Sequence, residues 1–208
     1  MEVKQAYNVW AEQYDSNANR TRDLESKALI NTLKYLNFED CLEIGCGTGK
    51  NTEWLASRTS KIISVDFSEK MLEVAKQKIT SENVEFIQAD ITQDWNFTTK
   101  CYKLVTFSLI LEHIKDLEFV YKELSYKVKR NGYVYIGELH PFKQYSGTKA
   151  CFETDGNKQV VTCYNHNVSD FIQPLLKRGF ILINVDEYFD NDDRDTIPRI
   201  ITVLLKKI

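Results

Sequence analysis

The chain lacks most of the features that would send its 208 residues to a specialised class. Neither sign of charge dominates, since 27 lysines and arginines face 30 aspartates and glutamates for a net charge of −3. No basic excess is available to grip a phosphate backbone or an anionic membrane, so nucleic acid is not an expected partner. No run approaches the roughly 18 consecutive apolar residues of a membrane span. Met1–Asp15 is polar and lacks the apolar centre of a secretion signal, so a cytoplasmic location is expected. The five cysteines (Cys41, Cys46, Cys101, Cys151 and Cys163) are odd in number and contain no C-x-x-C pair. That argues against a disulfide framework and against a zinc site, so reduced thiols and no metal are expected. Repeats, low-complexity tracts and linkers are also missing, which makes one domain over 1–208 the economical expectation.

What is present is an apolar share of 43% in a chain long enough to bury a self-sufficient core. Two helical patterns come first. Ala6, Tyr7, Trp10 and Tyr14 share a stripe over Val3–Tyr14, and Leu24, Ala28, Leu29, Leu33 and Leu36 share one over Arg22–Leu36. These residues, 1–37, are expected to form a helical lid. The period then changes. Cys41–Ile44, Lys61–Val65, Val84–Ile87, Tyr102–Ser108 and Tyr133–Leu139 read as strands. Helices are predicted between them, over Asn51–Ser57, after an N-cap at Ser68, and over Asp116–Val128 up to a stop at Asn131–Gly132. Alternation of this kind implies right-handed crossovers and a mainly parallel α/β sheet, doubly wound. After a helix near Val168, Phe180–Tyr188 and Arg199–Leu205 are too close for a crossover. They are expected to pair as an antiparallel hairpin at the sheet edge.

In such a sheet, ligands bind at the carboxyl ends of the strands beside the topological switch. Gly45-Cys46-Gly47-Thr48-Gly49 falls there, after the first strand, and Asp66 closes the second. A carboxylate about 20 residues past such a loop suits the two hydroxyls of a ribose. Asp90 closes the third strand in the same way. A nicotinamide enzyme would use similar architecture, but the dinucleotide loop wants glycine where this chain has Lys50. Glu43, two residues before the glycines, would repel a pyrophosphate and attract an amino group.

The motifs E-I-G-C-G-T-G at 43–49, V-D-F-S-E-K-M-L at 65–72, Q-A-D-I at 88–91 and Y-K-L-V-T-F-S-L-I-L-E-H-I at 102–114 together resemble those of class I S-adenosylmethionine-dependent methyltransferases. The opening A-Y-N-V-W-A-E-Q-Y-D is similar to the first helix of the ubiquinone/menaquinone and malonyl-carrier-protein group. The resemblance implies a Rossmann-like seven-stranded sheet with S-adenosyl-L-methionine as cofactor, and it assigns roles by position. Gly45, Cys46, Gly47 and Gly49 would wrap the methionine part, with Glu43 orienting the loop. Asp66 would hold the ribose, and Phe67 and Met71 would line the adenine slot. Asp90 would meet the adenine amino group, with Ile91 against the ring. Ser108 and Leu109 would sit by the sulfonium, and Tyr14 and Arg20 would close over the cofactor carboxylate.

For the acceptor, His140, His113 and Glu112, in that order, are the candidate bases, because they lie at strand ends on the reaction edge. His166 is expected to be structural. The long connection 142–166 carries Tyr145, Phe152 and Tyr164 around an Asp155–Gly156 turn. Connections of that length in a compact domain are commonly functional, so it is expected to be an acceptor flap, followed by a C-terminal helix and hairpin over 167–208. The stretch Phe107-Ser108-Leu109-Ile110 holds no N-P-P-Y-type motif. A small-molecule or carrier-bound acceptor therefore fits better than nucleic acid or protein, and a monomer or homodimer is expected. Two rival readings stand beside this one: a protein that binds the cofactor or its demethylated product without turnover, and a nicotinamide oxidoreductase.

Overall fold

In a computed structural model, residues 1–154 and 156–208 are described. Asp155, half of the expected flap turn, lies outside them. The chain opens with α1 (Val3–Trp10), continued by a single 3-10 turn at Ala11–Gln13, and then α2 (Arg20–Leu33). The core follows as β1 (Asp40–Ile44), α3 (Lys50–Ala56), β2 (Lys61–Asp66), α4 (Glu69–Lys78), β3 (Val84–Gln88), β4 (Tyr102–Ser108), α5 (Leu117–Lys127) and β5 (Val128–Leu139). Then come α6 (Pro141–Tyr145), a small hairpin of β6 (Cys151–Thr154) and β7 (Asn157–Val160), α7 (Val168–Leu176), β8 (Phe180–Tyr188) and β9 (Ile200–Lys207).

Seven strands form one sheet in the order β3-β2-β1-β4-β5-β9-β8. The first five are parallel, β9 runs antiparallel to β5, and β8 pairs antiparallel with β9 at the edge. The strand order reverses between β1 and β4, which places the switch point beside the carboxyl end of β1. Strand alternation divides the core. Leu42, Ile44, Val105 and Phe107 pack with Val120, Leu124 and Phe171 of α5 and α7 on one face. Cys41, Ile62 and Leu104 pack with Leu29, Leu33 and Leu55 of α2 and α3 on the other.

Local chemistry sets the boundaries. Ser68 caps α4, as expected, by accepting the Met71 amide at 3.1 Å. Asn19 caps α2 through the Arg22 amide at 3.0 Å, so that helix starts before its apolar stripe and stops at Leu33, short of the expected Leu36. Asn131–Gly132 does not end α5. The helix passes into β5 at Val128, and the pair forms a bulge, with Asn131 at φ +60° and a register shift between Tyr102 and Leu104 on the neighbouring strand. The expected two-helix lid is also revised. Helix α1 packs against α4, while α2 brings only its first residues, Arg20 and Thr21, to the cleft edge and otherwise covers the sheet on β5 and β9. Among the described residues, no helix is long and apolar enough to cross a membrane.

Candidate functional site: two cavities at the switch point

The turn after β1 is fastened to β2, because the amides of Gly45 and Cys46 both donate to the Val65 carbonyl, at 2.8 and 3.0 Å. Gly45 has φ +77°, and a Cβ on it would lie 2.5 Å from Ile110 Cδ1. Gly47 has φ +54°, but a Cβ there would meet nothing within 4 Å. Gly45 is therefore glycine for the sake of the protein's own packing. Gly47 presents a bare backbone to empty space. Gly49, at φ +82°, leads into α3, and Cys46 is buried beside the turn.

Asp66 carries the turn's electrostatics. Its Oδ2 accepts the Gly47 amide at 2.8 Å and its Oδ1 the Ser68 amide at 2.8 Å. Burial raises its pKa, against the pull of those backbone donors. Each oxygen keeps a lone pair for a further donor. Gly45, Gly47, Asp66, Phe67, Met71, Ser108, Leu109 and His113 line one small cavity of about 80 Å³, roofed by α1. Next to it lies a cleft of about 640 Å³, between residues 13–21, the ends of β4 and β5, and the β6–β7 hairpin. Tyr7, Tyr14 and Leu109 line both and form the wall between them. Leu109 holds a left-handed φ of +56°, rare for a branched side chain, and its amide is pinned to Gly137 O at 2.8 Å.

Several expected residues stand elsewhere. Glu43 does not face either cavity. It is buried beneath the turn, where Oε2 accepts the hydroxyls of Thr52 (2.6 Å) and Ser64 (2.7 Å), and burial pushes its pKa up to about 7. It ties α3 to β2 and supports the loop from below, so it meets no ligand amine. Asp90 turns back on its own chain, with Oδ1 accepting the Thr92 amide (2.9 Å) and hydroxyl (2.7 Å), outside the small cavity. Ile91 is core, and its carbonyl takes the Trp95 indole N–H at 2.9 Å. Arg20 lines only the larger cleft, while Tyr14 lines both. His140 is buried away from both cavities. It caps α6 by accepting the Phe142 amide on Nδ1 at 3.1 Å, and its Nε2 lies 3.0 Å from Glu187 Oε1. With both ring nitrogens engaged, it does not come to the reaction mouth. His166 is structural as expected, its Nε2 lying 3.1 and 2.8 Å from the carbonyls of Leu111 and Ile114.

His113 and Glu112 do reach the cavities. His113 Nδ1 is 2.9 Å from the Thr162 carbonyl, which can only accept, so that nitrogen carries the proton. Nε2 of the neutral ring is then the acceptor, and the Tyr7 hydroxyl donates to it at 2.7 Å. Glu112 lines the larger cleft and is 5% exposed, and its Oε2 finds no hydrogen-bond partner among the described residues. Burial raises its pKa. Beneath it, Glu138 holds the 109–113 loop by accepting the amides of Ile110 (2.9 Å) and Leu111 (2.8 Å) on Oε1, with its own pKa pushed up to about 8 by burial.

From the 142–166 connection, Cys151, Phe152 and Lys158 line the larger cleft. Phe152 stacks on Trp10 of the lid at 5.0 Å between ring centroids, so lid and hairpin close the cleft together. Cys151 lines the cleft, while Cys163 Sγ lies 3.8 Å from His113 Nδ1. Sequence reasoning gave no site role to Val3, Lys4 or Tyr7 and treated Ser68 only as an N-cap, yet all four line the small cavity. For Tyr7, the shared stripe with Tyr14 was the available signal.

A parallel sheet with one reversed strand, a glycine turn at its switch and an aspartate closing the next strand define a class I methyltransferase fold. Residues 42–136 match the family model described as a methyltransferase domain. Over those residues the chain carries a methyltransferase domain, and its fold is that of solved S-adenosylmethionine-dependent methyltransferases. It is similar to a malonyl-[acyl-carrier protein] O-methyltransferase of Priestia megaterium, 30% identical over 172 residues, with 79% of this chain and 56% of that protein covered. It also resembles a ubiquinone biosynthesis O-methyltransferase of Pelagibacter ubique, 26% identical over 122 residues, with 59% and 50% covered. The chain thus spans about half the length of these curated relatives. Among solved structures, DhpI in complex with SAH superposes with a TM-score of 0.77 at 21% identity, covering 98% of this chain and 94% of that one. An S-adenosylmethionine-dependent methyltransferase of Clostridium acetobutylicum gives 0.72 at 19% identity, covering 96% of each. These likenesses show the fold.

Proposed function

We propose that the chain is an S-adenosylmethionine-dependent methyltransferase that acts on a small-molecule or carrier-bound acceptor. The observation that carries this is the pair of adjoining cavities, one at the glycine turn and Asp66, the other at the flap, separated only by Tyr7, Tyr14 and Leu109. The donor set fits the cofactor. Gly47 offers open backbone that a Cβ would fill, Asp66 has free lone pairs for ribose hydroxyls, and Phe67 and Met71 form an apolar slot. Bound there, the cofactor supplies an already activated methyl group on a cationic sulfonium.

The small cavity falls well below the ~300 Å³ at which ordinary small-molecule sites begin. The cofactor's amino-acid end therefore passes Tyr14 into the larger cleft, where Arg20 meets its carboxylate, or α1 shifts to admit it. The rest of the larger cleft, with 142–166 as its flap, takes the acceptor. Orientation across the Tyr7–Tyr14–Leu109 wall is the protein's main contribution, worth up to roughly 7–11 kcal/mol in favourable cases. Where the acceptor carries a proton, Glu112 receives it. Position thus reverses the expected order of bases to Glu112, then His113, with His140 removed. Five free thiols support a cytoplasmic location.

Calorimetry with S-adenosylhomocysteine, S-adenosylmethionine and NAD tests the reading. The adenosyl ligands bind and NAD does not, and release of S-adenosylhomocysteine across a panel of acids, phenols, quinols and amines identifies the acceptor class. NAD binding without adenosyl binding would overturn the assignment. Adenosyl binding with no turnover anywhere in the panel favours a sensor of the cofactor.

A further inference from the structure

The larger cleft carries a charge pattern that the cofactor does not account for. Trp10, Leu139, Ala150 and Phe152 give it apolar surface among polar neighbours. Lys149 and Lys158 stand on the flap side of the same cleft, and neither enters an ion pair among the described residues. Other lysines do find carboxylates, for example Lys70 with Glu73, Lys78 with Asp15 and Lys129 with Asp40, whereas these two stand free at the mouth of a cleft. Two carboxylates share the cleft. Glu153 faces Lys158 across the hairpin, but no ion pair joins them. Glu112 is buried, and its Oε2 has no partner among the described residues. Lys149 also lies close enough to act electrostatically on Cys163, which adjoins His113 and Glu112. The cleft thus offers a group of apolar side chains, the Glu112 carboxylate in its wall, and two lysines at the flap with no ion-pair partner among the described residues.

Resting on the methyltransferase reading above, we infer that the acceptor is an apolar-bodied hydroxy acid. Its hydroxyl donates to the Glu112 carboxylate, and its carboxylate or phosphoryl group lies between Lys149 and Lys158. On transfer, the acceptor oxygen forms its bond to the methyl carbon as the C–S bond breaks. The electron pair of that bond stays on sulfur, giving a neutral thioether, and the hydroxyl proton passes to Glu112. The anion remains unmethylated at the flap.

The test uses the full chain in two steps. First, S-adenosylhomocysteine is titrated into wild type and into the Lys149→Ala/Lys158→Ala double variant. Both bind it with the same affinity, because neither lysine lines the small cavity and the tail that enters the larger cleft is met by Arg20. Absence of binding in wild type would sink the methyltransferase reading itself, and this proposal with it. Second, the loaded proteins are titrated with 4-hydroxyphenylacetate and 3-hydroxyhexanoate, and with their neutral amides. Two exposed lysine contacts give an acid-over-amide preference of about tenfold in wild type, and the double variant brings it near parity. Amides that bind as well as the acids, no binding of either, or a preference that survives in the double variant would each overturn the hydroxy-acid assignment while leaving the cofactor site standing. For discrimination between anions, the phosphate monoester of a matching diol replaces the carboxylate in a final arm. Preference for either anion that depends on the two lysines supports the assignment.

Discussion

The Tyr7 hydroxyl donates to Nε2 of His113 across 2.7 Å, joining the lid helix to the loop after β4. Two more bonds fasten the same N-terminal segment. Ser68 Oγ donates to Asn8 Oδ1 at 2.6 Å, and Thr48 Oγ1 to Asp15 Oδ1 at 2.7 Å. The lid is thus latched to the motif residues it covers. Tyr7→Phe removes one latch and leaves Nε2 unpaired, a loss of about 1 kcal/mol for a net hydrogen bond. Amide exchange over residues 3–14 should quicken, and S-adenosylhomocysteine affinity should fall about fivefold. Unchanged exchange in that segment would show that the bond does not restrain the lid.

Glu112→Gln keeps the shape of the buried side chain but removes its ability to take a proton. With a hydroxyl acceptor, kcat should fall by about 10²–10⁴, the usual range for loss of a general base. S-adenosylhomocysteine affinity should stay within a few-fold, since Glu112 does not line the small cavity and Arg20 meets the cofactor's tail in the larger cleft. Single-turnover rates in wild type and variant check this. A loss of affinity with kcat intact would assign Glu112 to cofactor binding.

Gly45 and Gly47 share a positive φ but not an environment, so one substitution separates folding from binding. Gly45→Ala adds a methyl 2.5 Å from Ile110 Cδ1 on top of the left-handed strain, and it should lower the melting temperature clearly. Gly47→Ala adds a methyl to open space, and the left-handed backbone alone costs roughly 1–2 kcal/mol. That methyl sits where the cofactor must approach, so affinity should drop by more than the stability loss implies. Thermal denaturation and calorimetry on both variants test the contrast. Equal losses of stability and affinity in the two would remove Gly47 from the cofactor cradle.

Glu43 predicts a pH dependence of opposite sign to that of a paired surface acid. Burial lifts its folded pKa to about 7, above the ordinary carboxylate value of 4.5. The folded state therefore holds the proton more tightly than the unfolded chain. Its contribution is complete below about pH 4.5 and is lost as pH rises through about 7. A shift of that size corresponds to at most about 3 kcal/mol. Glu25 and Glu138, raised to about 7 and about 8 by burial, act in the same direction. The melting temperature should fall between pH 5 and pH 8, and Glu43→Gln, which still accepts from Thr52 and Ser64, should make the fall shallower. A wild-type melting temperature that climbs across this window would refute the assignment.

The sheet was legible because its signals are local. Leu42 and Ile44 alternate with Cys41, Ser68 is a cap whatever surrounds it, and only ten residues separate β8 from the expected start of β9. The glycine turn and Asp66 were legible for the same reason, since a strand end fixes where they stand. What failed depends on where a side chain points after the strand has ended. Glu43, Asp90 and His140 all sit at carboxyl ends of strands, yet Glu43 turns under the loop to two hydroxyls, Asp90 back to Thr92 and His140 to the first turn of α6. Tyr7 was missed for the converse reason. Its aromatic stripe suits packing, and only the tertiary meeting of α1 with His113 gives its hydroxyl a partner.

His140 shows the difference most directly, and it yields the last prediction. Its Nδ1 accepts the Phe142 amide, so Nε2 carries the proton of the neutral ring and donates to Glu187 at 3.0 Å. Burial lowers its pKa, with Glu187 opposing, which keeps the ring neutral and the cap intact. His140→Ala deletes both bonds at the junction between β5 and the flap. Loss of a helix cap costs about 1 kcal/mol and the second bond a similar amount, so stability should fall by about 2 kcal/mol. Asn in place of His140 retains a capping acceptor and should recover roughly half of that. With a working acceptor, both variants should keep kcat within a few-fold at a temperature where they are folded. A kcat loss beyond tenfold in a variant of unchanged melting temperature would return His140 to the chemistry, because a cap that costs no stability cannot be what the residue supplies.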